Sequence, residues 1–199
     1  MAKVGKDAFG PGYQNRVGYK ARKLLHDNSK ELVKVLSEHS LVQDGYHFFE
    51  IGAGGGRNLW YLFQENSNVK LSCNDLWKEA SLSNMHPDIR KVTTFYEGDT
   101  EEVLDTYSGE DIDVLLSSDH LMHLLREKGA NILNTIVNRI RPSYVVLREV
   151  KEEKQTPEEK AKHFAKNYQD YNILNSAYDL IHEQTSHVKD FFIRIYKRK

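Results

Sequence analysis

The stretch that most constrains this chain is His47-Phe48-Phe49-Glu50-Ile51-Gly52-Ala53-Gly54-Gly55-Gly56-Arg57-Asn58-Leu59-Trp60. An apolar run ends in an acid, passes four glycines within five positions and reopens as a helix-like segment. Glycine has no Cβ and reaches positive φ at little cost, so the backbone N–H groups of such a turn can approach a ligand closely. A strand, a glycine turn and a helix in that order predict a nucleotide-like ligand at the turn.

The surroundings of the turn predict the fold. After Asp44-Gly45, strand-like runs at 46–51, 69–74, 92–96, 112–117 and 144–148 alternate with helical patterns at 58–65, 76–84, 101–107 and 121–140. The last pattern places Leu121, Leu124, Leu125, Ile132, Leu133, Ile136, Val137 and Ile140 on one broad face, the stripe of a helix packed on a sheet. Such alternation implies right-handed crossovers and a doubly wound α/β domain, a mostly parallel sheet with helices on both faces.

The two ends read differently. Residues 1–16 mix glycine, lysine and proline, an arm that orders against a partner surface, and 17–38 form an amphipathic helix. Its apolar positions are Leu24, Leu25, Leu32, Val33 and Leu36, and its polar face carries Lys20, Arg22, Lys23, Lys30 and Lys34, either a solvated face or a site for an anionic substrate. Residues 1–40 are therefore expected to be an arm and helix on the substrate side, acting as a lid, with 41–199 as the ligand-binding domain. Past a charged connector, Thr156-Pro157-Glu158-Glu159 predicts a capped helix to about residue 175. The strand-like runs 178–183 and 191–196 are too close for a parallel crossover and imply an antiparallel hairpin.

Composition excludes several classes. A chain of 199 residues suffices for one domain, and a net charge of −1 argues against wholesale attraction to nucleic acid or to a membrane surface. The single cysteine, Cys73, excludes an intrachain disulfide framework and any multi-cysteine metal site; it reads as a small buried residue in a reducing cytosol. The start of the chain has no apolar signal-peptide core, and no apolar run approaches the ~20 residues of a membrane span. A soluble cytoplasmic protein with no membrane partner is expected.

The spacing Glu50-Ile51-Gly52-Ala53-Gly54-Gly55-Gly56 is E-x-G-x-G-x-G. It resembles motif I of class I S-adenosylmethionine-dependent methyltransferases, whereas dehydrogenase fingerprints usually lack the preceding acid. The resemblance extends over about 46–199. It implies that S-adenosyl-L-methionine is the cofactor and that Glu50, Gly52, Gly54, Gly56 and Asn58 hold it at the turn. Asp75 would accept from both ribose hydroxyls, Leu76 and Trp77 would flank the adenine, and Asp99 in Gly98-Asp99-Thr100 would accept from the adenine amino group. Ser117-Ser118-Asp119-His120-Leu121-Met122-His123 resembles the post-strand-four phrase of many small-molecule methyltransferases and adds Ser117 to the cofactor set. The implied sheet has seven strands ordered 3-2-1-4-5-7-6, with strand 7 antiparallel. Each acid has a plainer alternative: Asp75 and Asp99 as helix caps, Glu50 as a polar strand end, and Trp77 as core.

Methyl transfer from a sulfonium is an in-line displacement in which the protein supplies proximity and alignment. A base is needed only where the acceptor must lose a proton. The ends of strands four and five offer Asp119, His120, His123 and Glu149, and His120 is the favoured base because of its unperturbed pKa. Glu149 could instead position a substrate amine or hydroxyl. The Asn-Pro-Pro-Tyr and Asp-Pro-Pro-Tyr signatures are absent, and so is a Pro-Cys nucleophile. Nothing stands at metal-ligand spacing, so no metal is expected. These readings converge on methyl transfer to an oxygen or nitrogen of a small-molecule acceptor. The rivals are an RNA or protein acceptor, suggested by the basic helix, a non-catalytic cofactor-binding module, and last a nicotinamide-dependent oxidoreductase. Nothing in the sequence indicates oligomeric state.

Overall fold

A computed structural model describes residues 23–150, 168–187 and 191–199. The arm at 1–16, Lys20, Arg22 and the helix start at Thr156 lie outside the described residues. Seven strands, β1 (His47–Ile51), β2 (Lys70–Asp75), β3 (Thr93–Glu97), β4 (Val114–Ser118), β5 (Tyr144–Val150), β6 (Tyr178–Thr185) and β7 (Phe191–Arg198), form one sheet. Their order is β3-β2-β1-β4-β5-β7-β6. β1 to β5 pair in parallel, and β7 runs antiparallel to both β5 and β6. The order and direction implied by the resemblance are those found.

The period-two alternation of β1 divides the core. Phe49 and Ile51 join Leu115, Leu147, Leu121, Ile132, Leu133 and Ile136 on one face. Phe48 joins Leu71, Cys73, Val114, Leu116 and Val146 on the other, as neighbouring strand residues must point to opposite faces. That second face is covered by α1 (Lys23–Glu38) and α2 (Arg57–Glu65), the first through Leu32, Val33, Val35 and Leu36. The first face is covered by α5 (Thr100–Thr106) and α6 (Arg126–Thr135). Between β2 and β3 lie α3 (Lys78–Asn84) and the short α4 (Pro87–Arg90). No helix among the described residues is long and apolar enough to cross a membrane.

Two helical expectations need correction. The pattern at 121–140 is not one helix: a 3-10 turn, Leu121–His123, is followed by extended backbone at Leu124 (ψ 160°) and Leu125 (ψ 148°) before α6 begins, and Ile136–Ile140 has π geometry. Leu125, counted in the apolar stripe, is consequently 49% exposed. Buried Glu149 causes the break by drawing the turn's N–H groups to itself, as described below. The described end of the helix expected after Thr156, Tyr168–Ser176, has 3-10 geometry. The short helix α4 went unpredicted; Pro87 starts it and the His86 ring accepts from Asp88 N.

The sheet gathers strand ends into one row. Ile51 pairs with Asn74 on one side and Ser117 on the other, and Ser118 pairs with Arg148. The C-terminal ends of β1, β2, β4 and β5 therefore lie in one row, and within it the strand order reverses between β1 and β4, the usual ligand position of open α/β sheets.

Candidate functional site

The turn after β1 is built on left-handed glycines: φ is 63° at Gly52, 55° at Gly54 and 65° at Gly56. A Cβ on Gly52 would lie 2.1 Å from His120 Nδ1, so the turn and the segment after β4 touch only because that position is glycine. Glu50, the residue before this turn's Ile51, is 2% exposed. Its Oε1 accepts from Asn58 Nδ2 at 2.6 Å, while Oε2 is buried with no hydrogen-bond partner. Burial pushes the Glu50 carboxyl up to about 8, against the pull of the Asn58 bond and of Arg57. A buried carboxylate oxygen left without a donor is costly and calls for a cationic or N–H-bearing partner.

The turn is tied to the end of β2. Gly54 N–H donates to Asp75 Oδ2 at 2.8 Å and Ala53 N–H to Asn74 O at 3.0 Å. Leu76 and Trp77 lie half-buried between β2 and α3. Asn74, absent from the sequence reading, is fully buried. Its amide donates to the carbonyls of Tyr96 and Gly98, and its Oδ1 accepts from Thr100 Oγ1 at 2.7 Å. Thr100 has then spent its proton, so its contact with His120 Nε2 at 3.0 Å makes Nε2 the protonated nitrogen and leaves a lone pair on Nδ1. Burial pulls the His120 ring down to about 4, with His123 adding to the effect. His120 is thus a neutral imidazole held against Gly52.

Asp99 takes the capping alternative. Its Oδ1 accepts from Glu101 N–H at 3.0 Å at the start of α5, and its other oxygen is ion-paired with Lys128. Gly98 (φ 138°) donates its N–H to the Asp75 carbonyl, which holds this loop against β2.

The segment after β4 is pinned from β5. Asp119 is left-handed (φ 58°), a conformation that aspartate tolerates better than most residues. Its N–H donates to Arg148 O at 2.9 Å and its Oδ1 accepts from Arg148 Nη1 at 2.6 Å. Burial raises the Asp119 carboxyl while Arg148 and Arg57 pull it down. Arg148 is fully buried and its guanidinium lies 4.5 Å from the centre of the Phe191 ring. Glu149 is also fully buried. It accepts from Ser117 Oγ at 2.7 Å and Leu121 N–H at 3.1 Å through Oε1, and from Met122 N–H at 3.3 Å through Oε2. Burial pushes Glu149 up to about 7 in spite of these donors. The expectation that Glu149 positions a substrate gives way to this: both oxygens hold the 3-10 turn. Ser117 likewise spends its hydroxyl on Glu149, and His123 is half-buried at the end of that turn.

Comparison with known proteins bears on the fold. No protein-family model matches the sequence, and no curated protein matches it either. Solved structures do. An O-methyltransferase family protein from Burkholderia thailandensis is 15% identical, with TM-score 0.70 over 96% of this chain and 64% of that one. Magnesium protoporphyrin IX methyltransferase (ChlM) from Synechocystis PCC 6803 with bound SAM is 15% identical, with TM-score 0.71 and complete coverage of both chains.

The chain has the class I methyltransferase fold.

The same methyltransferase fold relates it to small RNA methyltransferase HEN1 at 13% identity and TM-score 0.64, over 86% of this chain and 25% of that one. Identities this low carry the fold, and chemistry must be argued from the side chains. Sequence reasoning missed Asn74, Arg148 and the partners of Asn58. Only Asn74 had a signal, a polar residue inside an apolar strand next to the strand-end acid.

Proposed function

We propose that the chain is an S-adenosylmethionine-dependent methyltransferase acting on an oxygen or nitrogen of a small-molecule acceptor. One observation carries this reading: Glu50 Oε2 is buried without a partner beside a turn with three left-handed glycines, at the reversal point of the sheet. The cofactor offers an ammonium to such an oxygen, a charge-assisted bond about twice as strong as a neutral one. When bound, it supplies a sulfonium methyl already activated for displacement.

The roles of the chain's own residues follow. Gly52, Gly54 and Gly56 let the backbone approach the ligand, and Asn58 orients Glu50. Asp75, whose Oδ2 accepts from Gly54 N–H, is the acceptor assigned to the ribose hydroxyls. Leu76 and Trp77 line the adenine side, where Gly98, Asp99 and Thr100 shape the loop. His120 is the assigned base where the acceptor is a hydroxyl, its Nδ1 being the nitrogen that carries the lone pair. Asp119, paired with Arg148, fixes the segment that carries His120 and His123. Residues 1–40 are assigned to the acceptor side. With His120 pulled down to about 4, methyl transfer should show no inflection from it above about pH 5, whereas an unperturbed imidazole would inflect near 6.5.

The test is a methyl-transfer assay with labelled S-adenosylmethionine against hydroxyl- and amine-bearing small molecules. A product with one, abolished by Glu50→Gln at low cofactor concentration, supports the reading; tight cofactor binding with no transfer to any acceptor favours a non-catalytic module. The likeness to HEN1 and the exposed Lys30 and Lys34 on α1 favour RNA as a second acceptor class. Salt-sensitive RNA association would select it, since counterion release makes phosphate contacts salt-dependent.

A further inference from the structure

Helix α1 carries no residue of the cofactor set, yet Ser29 in its middle is fully buried next to it. Ser29 Oγ accepts from Arg57 Nε at 2.8 Å and donates to Asn58 Oδ1 at 2.6 Å. Asn58 Nδ2 in turn donates to Glu50 Oε1 at 2.6 Å. Arg57 and Asn58 are 8% and 5% exposed, so the whole chain of bonds is shielded from water.

Its direction is fixed by donor chemistry. A guanidinium can only donate and a hydroxyl has one proton, so the Ser29 proton goes to Asn58. The Asn58 amide must then turn its oxygen to Ser29 and its NH2 to Glu50. Turned over, the same amide would set an oxygen against the carboxylate. The hydroxyl of Ser29 therefore decides which way Asn58 faces, and Asn58 decides which oxygen of Glu50 is held. Glu31, two residues further on, fixes the helix from the other side by accepting from His187 N–H at 2.8 Å and pairing with its ring.

We propose that Ser29 is a positioning residue of the cofactor site: through Asn58 it holds Glu50 by one oxygen and presents the other to a cationic ligand. This rests on the methyltransferase reading and brings α1 into the site. The charged groups that act on Glu50 are Arg57 at the start of α2, Asp75 at the end of β2 and Asp119 after β4; of these, Arg57 is itself bonded to Ser29, so a change at Ser29 reaches Glu50 through Arg57 as well as through Asn58.

The experiment compares the full chain with its Ser29→Ala variant. Carbon NMR of the Glu50 carboxyl, without any ligand, should show its titration midpoint moved up by about one pH unit in the variant, as expected for the loss of a bond to the charged form. Calorimetry with S-adenosylhomocysteine at pH 8 should show about tenfold weaker binding. A variant that matches wild type in both overturns the role of Ser29, while a wild type that binds no S-adenosylhomocysteine overturns the reading beneath it. Should Ser29→Ala not fold, wild type alone decides. Asn58 amide protons close to the Glu50 side chain in NOE spectra support the relay, and the opposite amide orientation overturns it.

Discussion

Two glutamates stand one residue before the ends of β1 and β5 in the same sheet, and their difference bears on the proposed site. Glu50 on β1 and Glu149 on β5 are both buried, at 2% and 0% exposure, and both are pushed far above the usual carboxylate range. They point to opposite faces, Glu50 toward Asn58 of α2 and Glu149 toward the turn at Leu121. Glu149 has four donors across its two oxygens, the Ser117 hydroxyl and the N–H groups of His120, Leu121 and Met122. Glu50 has one, and Oε2 has none. Burial and a raised pKa are therefore shared by a residue that holds the fold and one that we propose receives a ligand. Hydrogen-bond satisfaction is what separates them, because a native fold rarely leaves a buried carboxylate oxygen unpaired without a use for it.

The contrast can be broken most forcefully at Glu149. Replacing it by leucine strands the Ser117 hydroxyl and the N–H groups of Leu121 and Met122, at ~1–3 kcal/mol each. Glu149→Leu should lose about 3 kcal/mol or more in urea denaturation, and an unchanged midpoint would show that its bonds are not structural. At Glu50 the loss should fall on binding. Glu50→Gln keeps an acceptor for Asn58, should denature no earlier than wild type at pH 8, and should weaken cofactor binding by ~10- to 30-fold, about 2 kcal/mol. A smaller effect is expected at the turn. Gly52→Ala places a methyl on left-handed backbone and against His120, costing about 1–2 kcal/mol in thermal denaturation and shifting the His120 ring resonances.

The smallest effect is a pH slope. A carboxyl with a folded pKa above its unfolded value of 4.5 keeps its proton longer in the native state. Between about pH 4.5 and about 8 the native state thus binds more protons than the unfolded chain, so stability is greatest at the acid end of that window and falls as pH rises through it. The slope per group cannot exceed about 1.4 kcal/mol per pH unit. Glu50→Gln should flatten the upper part of it, near pH 8, and leave the part due to Glu149.

Much of this was legible in the sequence, because strands and glycine turns are written in local patterns. Strand-like runs set between helical patterns placed each strand of the sheet to within about two residues, and E-x-G-x-G-x-G placed the turn. What escaped depends on contacts between distant positions. Leu121 to Leu125 continue a helical stripe, yet Glu149, on another strand, draws the N–H groups of that segment and breaks the helix. Ser117 and Asp99 have side chains that suit a ligand; their present partners, Glu149 and Lys128, lie 32 and 29 residues away. Ser29 had no local signal, since a serine within a helix is unremarkable until Arg57 and Asn58 meet it. The sequence order of the motifs indicated a cofactor, and only packing showed which carboxylate is unpaired.

The most direct measurement is calorimetric titration of wild type and Glu50→Gln with S-adenosylhomocysteine at pH 8, with circular dichroism to confirm that both are folded. One saturable site in wild type and at least tenfold weaker binding in the variant is the predicted result. No binding by folded wild type, or equal affinity in the two proteins, would contradict the assignment of Glu50 as the residue that receives the methyl donor.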